Sequence, residues 1–291
     1  MRLHYSGWDY GLATHVGNIK KINEDRSFLR IAAGPEKKSF VIAMIADGMG
    51  GYNSGEAASS IAVEYVKKWW DDRIPALIKT EDFLKEVNKG LTEVFRQVNK
   101  KLLELKQKQQ LNTGTTLSVL FLYGSSYLAV HVGDSRIYRG YPASGDITDF
   151  CIEQLTEDQS WVASQMKKGL LSKEEARVHP KRNILLQCLG ITPELNIFHK
   201  TGRFGEEDLF LLSSDGFFSM FSDNNIMFFL TQLTVNNYSL QKISEFLVKE
   251  AVNAGARDNI TVMTIRWRKN KFFRGKEYFR FFRSIFQEKK I

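Results

Sequence analysis

The stretch FVIAMIADGMGG, residues 40–51, joins seven apolar residues to an aspartate and a glycine-rich end. An apolar run of this length that stops at Asp-Gly predicts a buried strand over residues 40–46. Further apolar, β-rich runs predict strands at 115–123, 127–132, 209–212 and 260–267. The runs 115–123 and 127–132 are separated by Gly124-Ser125-Ser126, which predicts a hairpin and antiparallel pairing.

Helical periodicity separates these strands. Apolar residues recur at spacings of three and four between Val87 and Leu105, which predicts an amphipathic helix over residues 81–109. Other helices are predicted at 55–70, 224–233 and 240–253. Two capping-box patterns, Thr156-x-x-Gln159 and Ser172-x-x-Glu175, predict the starts of two short helices. Strand runs separated by helix pairs indicate one α+β layered domain over residues 1–267.

Composition narrows the class of protein. Of 291 residues, 43% are hydrophobic and 25% charged, as in ordinary folded proteins, and no 18-residue apolar run or signal-peptide pattern occurs. The two cysteines, Cys151 and Cys188, are too few for a disulfide framework and lack metal-ligand spacing. A reducing, cytoplasmic location is therefore expected.

The net charge of +8 belongs almost entirely to the C-terminal tail. Residues 268–291 contain nine Lys or Arg and two Glu, a balance of +7, which leaves +1 for residues 1–267. The main body therefore predicts no nucleic-acid partner. Seven aromatic residues in this tail fall mainly on one side of a helical wheel. We expect a basic aromatic helix that docks on protein, with an anionic membrane surface as the alternative.

Acidic residues recur at the ends of the predicted strands. A single Asp-Gly is usually only a turn, but several acids at strand ends need a shared explanation. If the strand ends converge, the carboxylates repel one another in a partly desolvated site, and a divalent cation turns that repulsion into attraction. The residues are Asp47, Asp134, Asp215 and Asp258, with the adjacent pair Glu24 and Asp25.

The chemistry of the candidate ligands indicates which cation the acidic residues would bind. Oxygen-only ligation suits Mg²⁺ or Mn²⁺, whereas zinc favours His or Cys, and neither paired histidines nor a twelve-residue EF-hand loop occurs. Two such ions sharing a carboxylate activate water and neutralise phosphate oxygens. The sequence thus permits metal-assisted phosphoryl hydrolysis. A cysteine phosphatase would need an arginine six residues after its cysteine, but Glu194 stands at that offset from Cys188 and Glu157 from Cys151. A kinase or P-loop nucleotide enzyme is also excluded, because neither a GxxxxGK(S/T) nor a GxGxxG pattern occurs.

Six short motifs in order resemble those of the metal-dependent serine/threonine phosphatases of the protein phosphatase 2C type (PPM family), in their bacterial form. The resemblance spans about residues 10–267. The motifs are Gly17-x-x-Lys20-x-x-Asn23-Glu24-Asp25, Asp47-Gly48-Met49-Gly50-Gly51, Gly114-Thr115-Thr116, Val132-Gly133-Asp134-Ser135-Arg136, Ser214-Asp215-Gly216 and Arg257-Asp258-Asn259-Ile260-Thr261.

The resemblance implies a four-layer α/β/β/α sandwich of two antiparallel sheets flanked by helix pairs, with a flap at about 161–189. It implies hydrolysis of phosphoserine and phosphothreonine in proteins by a water activated between two divalent ions, Mn²⁺ or Mg²⁺, without a covalent intermediate. Phosphoprotein substrates and an opposing Ser/Thr kinase are the implied partners.

The resemblance also assigns roles to residues. Asp47 would bridge two ions, Asp215 and Asp258 would complete one, and the Gly48 carbonyl would bind the other. Glu24 and Asp25 would act near the second ion, through waters or by orienting the nucleophile. Asp134 and Asp215 match a third, weaker metal site.

Two positions depart from the family pattern. Lys20 stands where the family usually has a phosphate-binding arginine, and lysine cannot form the bidentate fork, so looser phosphate binding is expected. The alternative is that Lys20 is a solvated surface residue. Met49 replaces a histidine that serves many eukaryotic relatives as general acid. The rival function is an inactive or weakly active phosphatase-like module that binds phosphoproteins or a partner.

Overall fold

The computed structural model describes residues 7–34, 39–50, 54–109, 113–145 and 149–268. The C-terminal residues 269–291, for which the sequence predicts a basic aromatic helix, lie outside the described residues. Within the described ranges, no helix has both the length and the apolar character needed to cross a membrane.

Sheet A contains five strands in the order β1-β12-β11-β8-β9, all paired antiparallel. Their bounds are β1 Trp8–His15, β8 Arg136–Pro142, β9 Phe150–Gln154, β11 Leu209–Ser213 and β12 Ile260–Trp267. The central strand β11 is buried throughout, since sheet A is covered on both faces.

Sheet B also contains five antiparallel strands, in the order β10-β7-β6-β3-β2. Their bounds are β2 Arg26–Ala33, β3 Ser39–Ala46, β6 Leu117–Tyr123, β7 Ser126–Val132 and β10 Phe198–Arg203. Two short strands, β4 Gly48–Gly50 and β5 Thr113–Thr115, form a separate ribbon directly after β3 and before β6.

Helices cover the outer face of each sheet. The long helices α1 Ser54–Leu77 and α2 Phe83–Gln109 pack on sheet B, and the shorter α5 Asp215–Phe218, α6 Asp223–Val235 and α7 Leu240–Asn253 pack on sheet A. A third apolar cluster, with residues from both sheets, fills the space between them. The helices α3 Trp161–Lys167 and α4 Lys173–Val178 lie in the connection from β9 to β10. The predicted four-layer sandwich is confirmed.

The local predictions are confirmed with three differences. The strand predicted at 115–123 is divided at Thr116 into the end of β5 and the whole of β6. The hairpin has Gly124 in the left-handed conformation (φ +58°), and Ser172 and Glu175 form the predicted capping box. The prediction of a helix that starts with a capping box at Thr156 is wrong, because the following helix begins at Trp161 with Ser160 as its N-cap. The Thr156 hydroxyl instead accepts a hydrogen bond from the backbone N–H of Ile137, which ties this loop to β8. The predicted helix 55–70 extends to Leu77 and includes Pro75.

Candidate active site

The acidic residues singled out from the sequence meet at one end of the sandwich. Asp47 follows β3, Asp215 begins α5 directly after β11, and Asp258 precedes β12. Within sheet B, the Asp47 carbonyl accepts a hydrogen bond from the Thr116 N–H at 2.9 Å, between the end of β3 and the start of β6. The hydroxyls of Thr116 and Ser135, 2.8 Å apart, link this point to the loop that enters sheet A at β8. Strand order therefore brings the loops of both sheets into one site.

Asp47 and Asp215 form the centre of this site. Their side chains lie within hydrogen-bonding reach of each other. Burial raises the pKa of Asp215 to about 7, with further contributions from Asp258 and Asp25. Burial, and then the charges of Asp25, Asp215, Asp134 and Asp258, raise the pKa of Asp47 well above its usual range. The shifts mean that the negative charges lack compensation from the protein.

Asp25 lies beside this pair and is held by two hydroxyl groups. Ser214 and Thr261 both donate to its Oδ2, each at 2.7 Å, while its Oδ1 is buried without a hydrogen-bond partner among the described residues. Burial raises the pKa of Asp25 to about 6, although the two hydroxyl donors lower it. A buried, unpaired carboxylate oxygen close to other acids is a suitable ligand for a cation.

Glu24 and Gly48 approach each other closely. The Glu24 N–H donates to Asn259 Oδ1 at 2.9 Å, and its carbonyl accepts from the Ser59 hydroxyl at 2.6 Å. A Cβ atom on Gly48 would stand 2.1 Å from the Gly55 carbonyl oxygen and 2.7 Å from that of Glu24. Glycine is thus required at position 48 by backbone packing against the start of α1.

Lys20 reaches the site from the loop before Glu24. Its Nζ is 3.1 Å from Asp258 Oδ1 and 3.8 Å from Glu24 Oε2, with 42% of the side chain exposed. Although partial burial lowers it, the neighbouring Asp258 raises the pKa of Lys20 above its ordinary value. The structure thus places the Lys20 ammonium group within reach of two acids of the cluster.

Asp134 lies on the connection between the two sheets. Burial, followed by the charges of Asp215 and Asp158, raises its pKa well above the usual range. His131 supports this connection: Nε2 donates towards the Gly133 and Glu157 carbonyls at 2.9 and 3.1 Å, and Nδ1 lies 2.8 Å from the Ser118 hydroxyl. Burial lowers the pKa of His131 to about 4, so this histidine is neutral and has a structural role.

The donor chemistry of the cluster fits hard divalent cations. In the described part of the chain, no three His, Cys, Asp or Glu side chains already form a group that could hold an ion. Mg²⁺-type ions need only one or two carboxylates, with waters and backbone oxygens as the remaining ligands. The crowded carboxylates and the unpaired Asp25 oxygen, in a cluster whose described members are all oxygen donors, favour Mg²⁺ or Mn²⁺ over zinc.

Sequence reasoning missed the polar residues that hold the acids in place. The Asn259 side chain is buried, donates to the Val16 and Ile22 carbonyls at 2.9 Å, and accepts from the Glu24 N–H. It thereby fixes the loop that carries Lys20 and Glu24 against the start of β12. Asn259, Ser214 and Thr261 all lie inside the quoted motifs, and the available signal was the polar residue directly beside Asp215 or Asp258, which applies to Ser214 and Asn259.

Comparisons with known proteins agree with this geometry. Residues 20–250 match the family described as Protein phosphatase 2C. The serine/threonine phosphatase stp of Listeria innocua is 32% identical over 254 residues, which cover 87% of this chain and 93% of the relative.

The fold of this chain is also similar to that of solved structures. The S. agalactiae serine/threonine phosphatase superposes with a TM-score of 0.75 at 28% identity, covering 89% of this chain and 99% of that one. The catalytic domain of the phosphatase PstP, solved in complex with two manganese ions, gives a TM-score of 0.70 at 25% identity and covers 90% of this chain and 99% of that one. With the shared motifs, the sandwich fold and the acidic cluster, the chain belongs to the protein phosphatase 2C family.

Proposed function

We propose that this protein is a metal-dependent phosphatase that hydrolyses phosphoserine and phosphothreonine in other proteins, with Mn²⁺ or Mg²⁺ as its cofactor. The observation that carries the proposal is the convergence of uncompensated carboxylates at one end of the sandwich, with Asp47 and Asp215 in contact. Several buried acids that raise one another's pKa destabilise a fold unless they serve a ligand.

The proposed metal ligands are those the family pattern assigns. Asp47 would serve both principal ions, Asp215 and Asp258 would join it at one of them, and the Gly48 carbonyl would serve the other. Asp134, which shares a cleft with Asp215, would hold a third and weaker ion with it. Bound divalent ions supply Lewis acidity, which activates a water molecule and neutralises phosphate oxygens.

The remaining site residues would orient the nucleophilic water and position the substrate phosphate. Glu24 and Asp25 bracket the site from the loop before β2, and their oxygens can accept protons or hydrogen bonds from a nucleophilic water. The hydroxyls of Ser214 and Thr261 hold Asp25 through its Oδ2 and leave its Oδ1 free to accept from a ligand. Lys20 carries the one cation in contact with the cluster's acids among the described residues, and is the proposed anchor for substrate phosphate.

The proposal is tested by hydrolysis of p-nitrophenyl phosphate and of phosphothreonine, phosphoserine and phosphotyrosine peptides, with Mn²⁺, with Mg²⁺ and with EDTA. We expect metal-dependent activity, a preference for phosphothreonine and phosphoserine peptides, and loss of activity in Asp47→Ala. Asp71→Ala, an exposed acid on α1, is the matched control. Metal-independent turnover, or none with either ion, would favour the rival binding module.

Finer features of the biology are also proposals. The substrates would include proteins phosphorylated by a Ser/Thr kinase that this enzyme opposes, in the cytoplasm. The tail 268–291 would dock on protein or on an anionic membrane surface. Co-sedimentation of the full chain and of a 1–267 truncation with anionic liposomes separates these two options, because equal binding by both would remove the membrane surface as its target.

A further inference from the structure

A cleft of about 850 Å³ opens from the acidic cluster, with Asp134 and Asp215 in its lining. This volume lies within the range of about 300–1,000 Å³ that is usual for ligand sites. One wall consists of α3, α4 and residues 182–183, and the other consists of α5 and the start of α6. A substrate phosphate at the acidic cluster would therefore leave neighbouring residues of the same substrate in this cleft.

The floor of the cleft carries an arginine whose charge is already balanced. Arg136 makes a two-pronged pair with Asp158, with Nε–Oδ1 at 3.0 Å and Nη2–Oδ2 at 2.7 Å. Its Nη1 donates to the Tyr138 hydroxyl at 2.8 Å, and its guanidinium stacks 3.9 Å from the ring centre of Phe218. With all three guanidinium nitrogens hydrogen-bonded and one face against Phe218, Arg136 is committed to supporting the floor of the cleft.

The cations on the walls differ from one another. Lys167 pairs with Glu157, and Lys173 lies 3.4 Å from Asp223. Arg177 and Arg182 also line the cleft and are exposed, yet neither pairs with an acid anywhere in the described ranges. Glu174, one helical turn before Arg177, forms no ion pair with it. The wall opposite α5 and α6 thus presents two uncommitted guanidinium groups.

We propose that Arg177 and Arg182 form a second anion subsite, which binds a carboxylate or phosphate group on the substrate segment next to the phosphorylated residue. The inference rests on the proposed function, since it assumes that the substrate phosphate lies at the acidic cluster. Guanidinium groups suit planar carboxylates and phosphates because they donate two parallel hydrogen bonds. The preferred substrates are then acidic or multiply phosphorylated segments.

The test compares three phosphothreonine peptides of one length. One has neutral flanking residues, one has glutamates on both sides, and one has a phosphonate mimic of a second phosphate, which cannot be hydrolysed. Values of kcat/KM, and binding by fluorescence anisotropy, are measured for the wild type, Arg177→Gln, Arg182→Gln and the double variant. Lys168→Gln, an exposed lysine of the same segment outside the cleft lining, is the matched control.

We expect the wild type to favour both anionic peptides, and each glutamine variant to reduce that preference roughly two- to fivefold, as for a partly exposed ion pair. The double variant should treat all three peptides alike, and raised salt should weaken the wild-type preference. Hydrolysis of p-nitrophenyl phosphate should not change. The double Arg→Lys variant, which keeps the charge, should retain part of the preference. The relative effects of the glutamate and phosphonate peptides identify which anion is bound.

The outcomes separate this inference from the proposed function. If the wild type hydrolyses p-nitrophenyl phosphate but shows no anion preference, or if Lys168→Gln reduces the preference as much as the arginine variants do, the subsite is rejected and the phosphatase stands. If anionic peptides bind in an arginine-dependent way but no substrate is hydrolysed under any metal condition, the subsite stands and the phosphatase is rejected.

Discussion

The two ends of strand β3 lie in opposite environments, an apolar aromatic cluster at one end and a cluster of acids at the other. At one end, Phe40 packs among Trp70, Phe83 and Phe121, with ring centroids 5.3 to 5.8 Å apart, and all four rings are buried. At the other end, seven residues along the chain, Asp47 meets Asp215 and the remaining acids. At the aromatic end every contact between neighbouring rings stabilises the fold, whereas the carboxylates at the acidic end repel one another and destabilise it.

This difference separates stability from function along one strand. The aromatic cluster buries apolar area and rigidifies the connection between sheet B and helices α1 and α2. That rigidity is what can hold uncompensated carboxylates together, because a looser scaffold would let them move apart. We therefore expect substitutions at the aromatic end to change stability, and substitutions at the acidic end to change catalysis.

The largest effect is expected for Asp47→Asn. Loss of the bridging carboxylate should reduce kcat/KM by roughly three orders of magnitude, or about 4 kcal/mol of transition-state stabilisation. The free energy of unfolding without metal should not fall, because asparagine can still donate a hydrogen bond to Asp215 and one repelled carboxyl is removed. Peptide kinetics measure kcat/KM, and urea unfolding in EDTA measures the free energy of unfolding. A kcat/KM within tenfold of the wild type would reject Asp47 as the bridging metal ligand.

Phe121→Ala should lower stability and leave catalysis by the folded protein unchanged, the reverse of Asp47→Asn. Removal of a fully buried ring from the aromatic cluster should lower the free energy of unfolding by about 3–5 kcal/mol. The folded fraction should retain its kcat below its own transition temperature. Phe228→Ala, on the exposed side of α6, is the matched control and should change stability by about 0.5 kcal/mol or less. Equal losses in the two variants would mean that the cluster does not hold the scaffold.

The acidic end should make stability depend on pH in an unusual direction. The pKa values of about 6 for Asp25 and about 7 for Asp215 exceed the ordinary value of 3.8. Between about pH 4 and 7 the folded protein therefore holds protons that the unfolded chain releases, so stability falls as pH rises through this window. In EDTA, Tm should be lower at pH 8 than at pH 5, and Mn²⁺ should offset the loss. The Asp215→Asn variant should show a flatter profile, and a wild-type Tm that rises over this range would contradict the account.

Lys20→Arg should give the smallest effect. If Lys20 anchors substrate phosphate as a point charge, the arginine fork should lower KM a few-fold with little change in kcat, as expected for one additional charge-assisted hydrogen bond. Lys21→Arg, the neighbouring exposed lysine, controls for a general effect of the substitution. An unchanged or higher KM would indicate that Lys20 instead serves to balance Asp258, with which it pairs.

The sequence predicted the parts of the fold that carry uninterrupted apolar patterns. Strands β3, β6, β7, β11 and β12 and helix α2 were recognisable because burial on both faces, or helical periodicity, shapes their composition. The strands β1 and β10, with the sequences WDYGLATH and FHKTGR, were not, because edge strands mix polar and apolar residues and depend on their partners.

The site was predictable to the level of its acids and no further. The positions of Asp47, Asp215 and Asp258 follow from motifs at strand ends, but the contacts of Asp25 do not. Its two hydroxyl donors come from positions 214 and 261, which are adjacent only because β11 pairs with β12. Likewise, the unpaired state of Arg177 and Arg182 depends on how α4 lies across the cleft, which no local pattern encodes.

The most direct test counts the ions that the acidic cluster holds. Equilibrium binding of Mn²⁺ to the full chain at pH 7.5, followed by the electron paramagnetic resonance signal of the free ion, should give at least two ions per wild-type chain. Asp47→Asn should lose at least one of them. Fewer than two ions bound by the wild type at saturation, or unchanged binding by the variant, would contradict a shared metal centre built around Asp47.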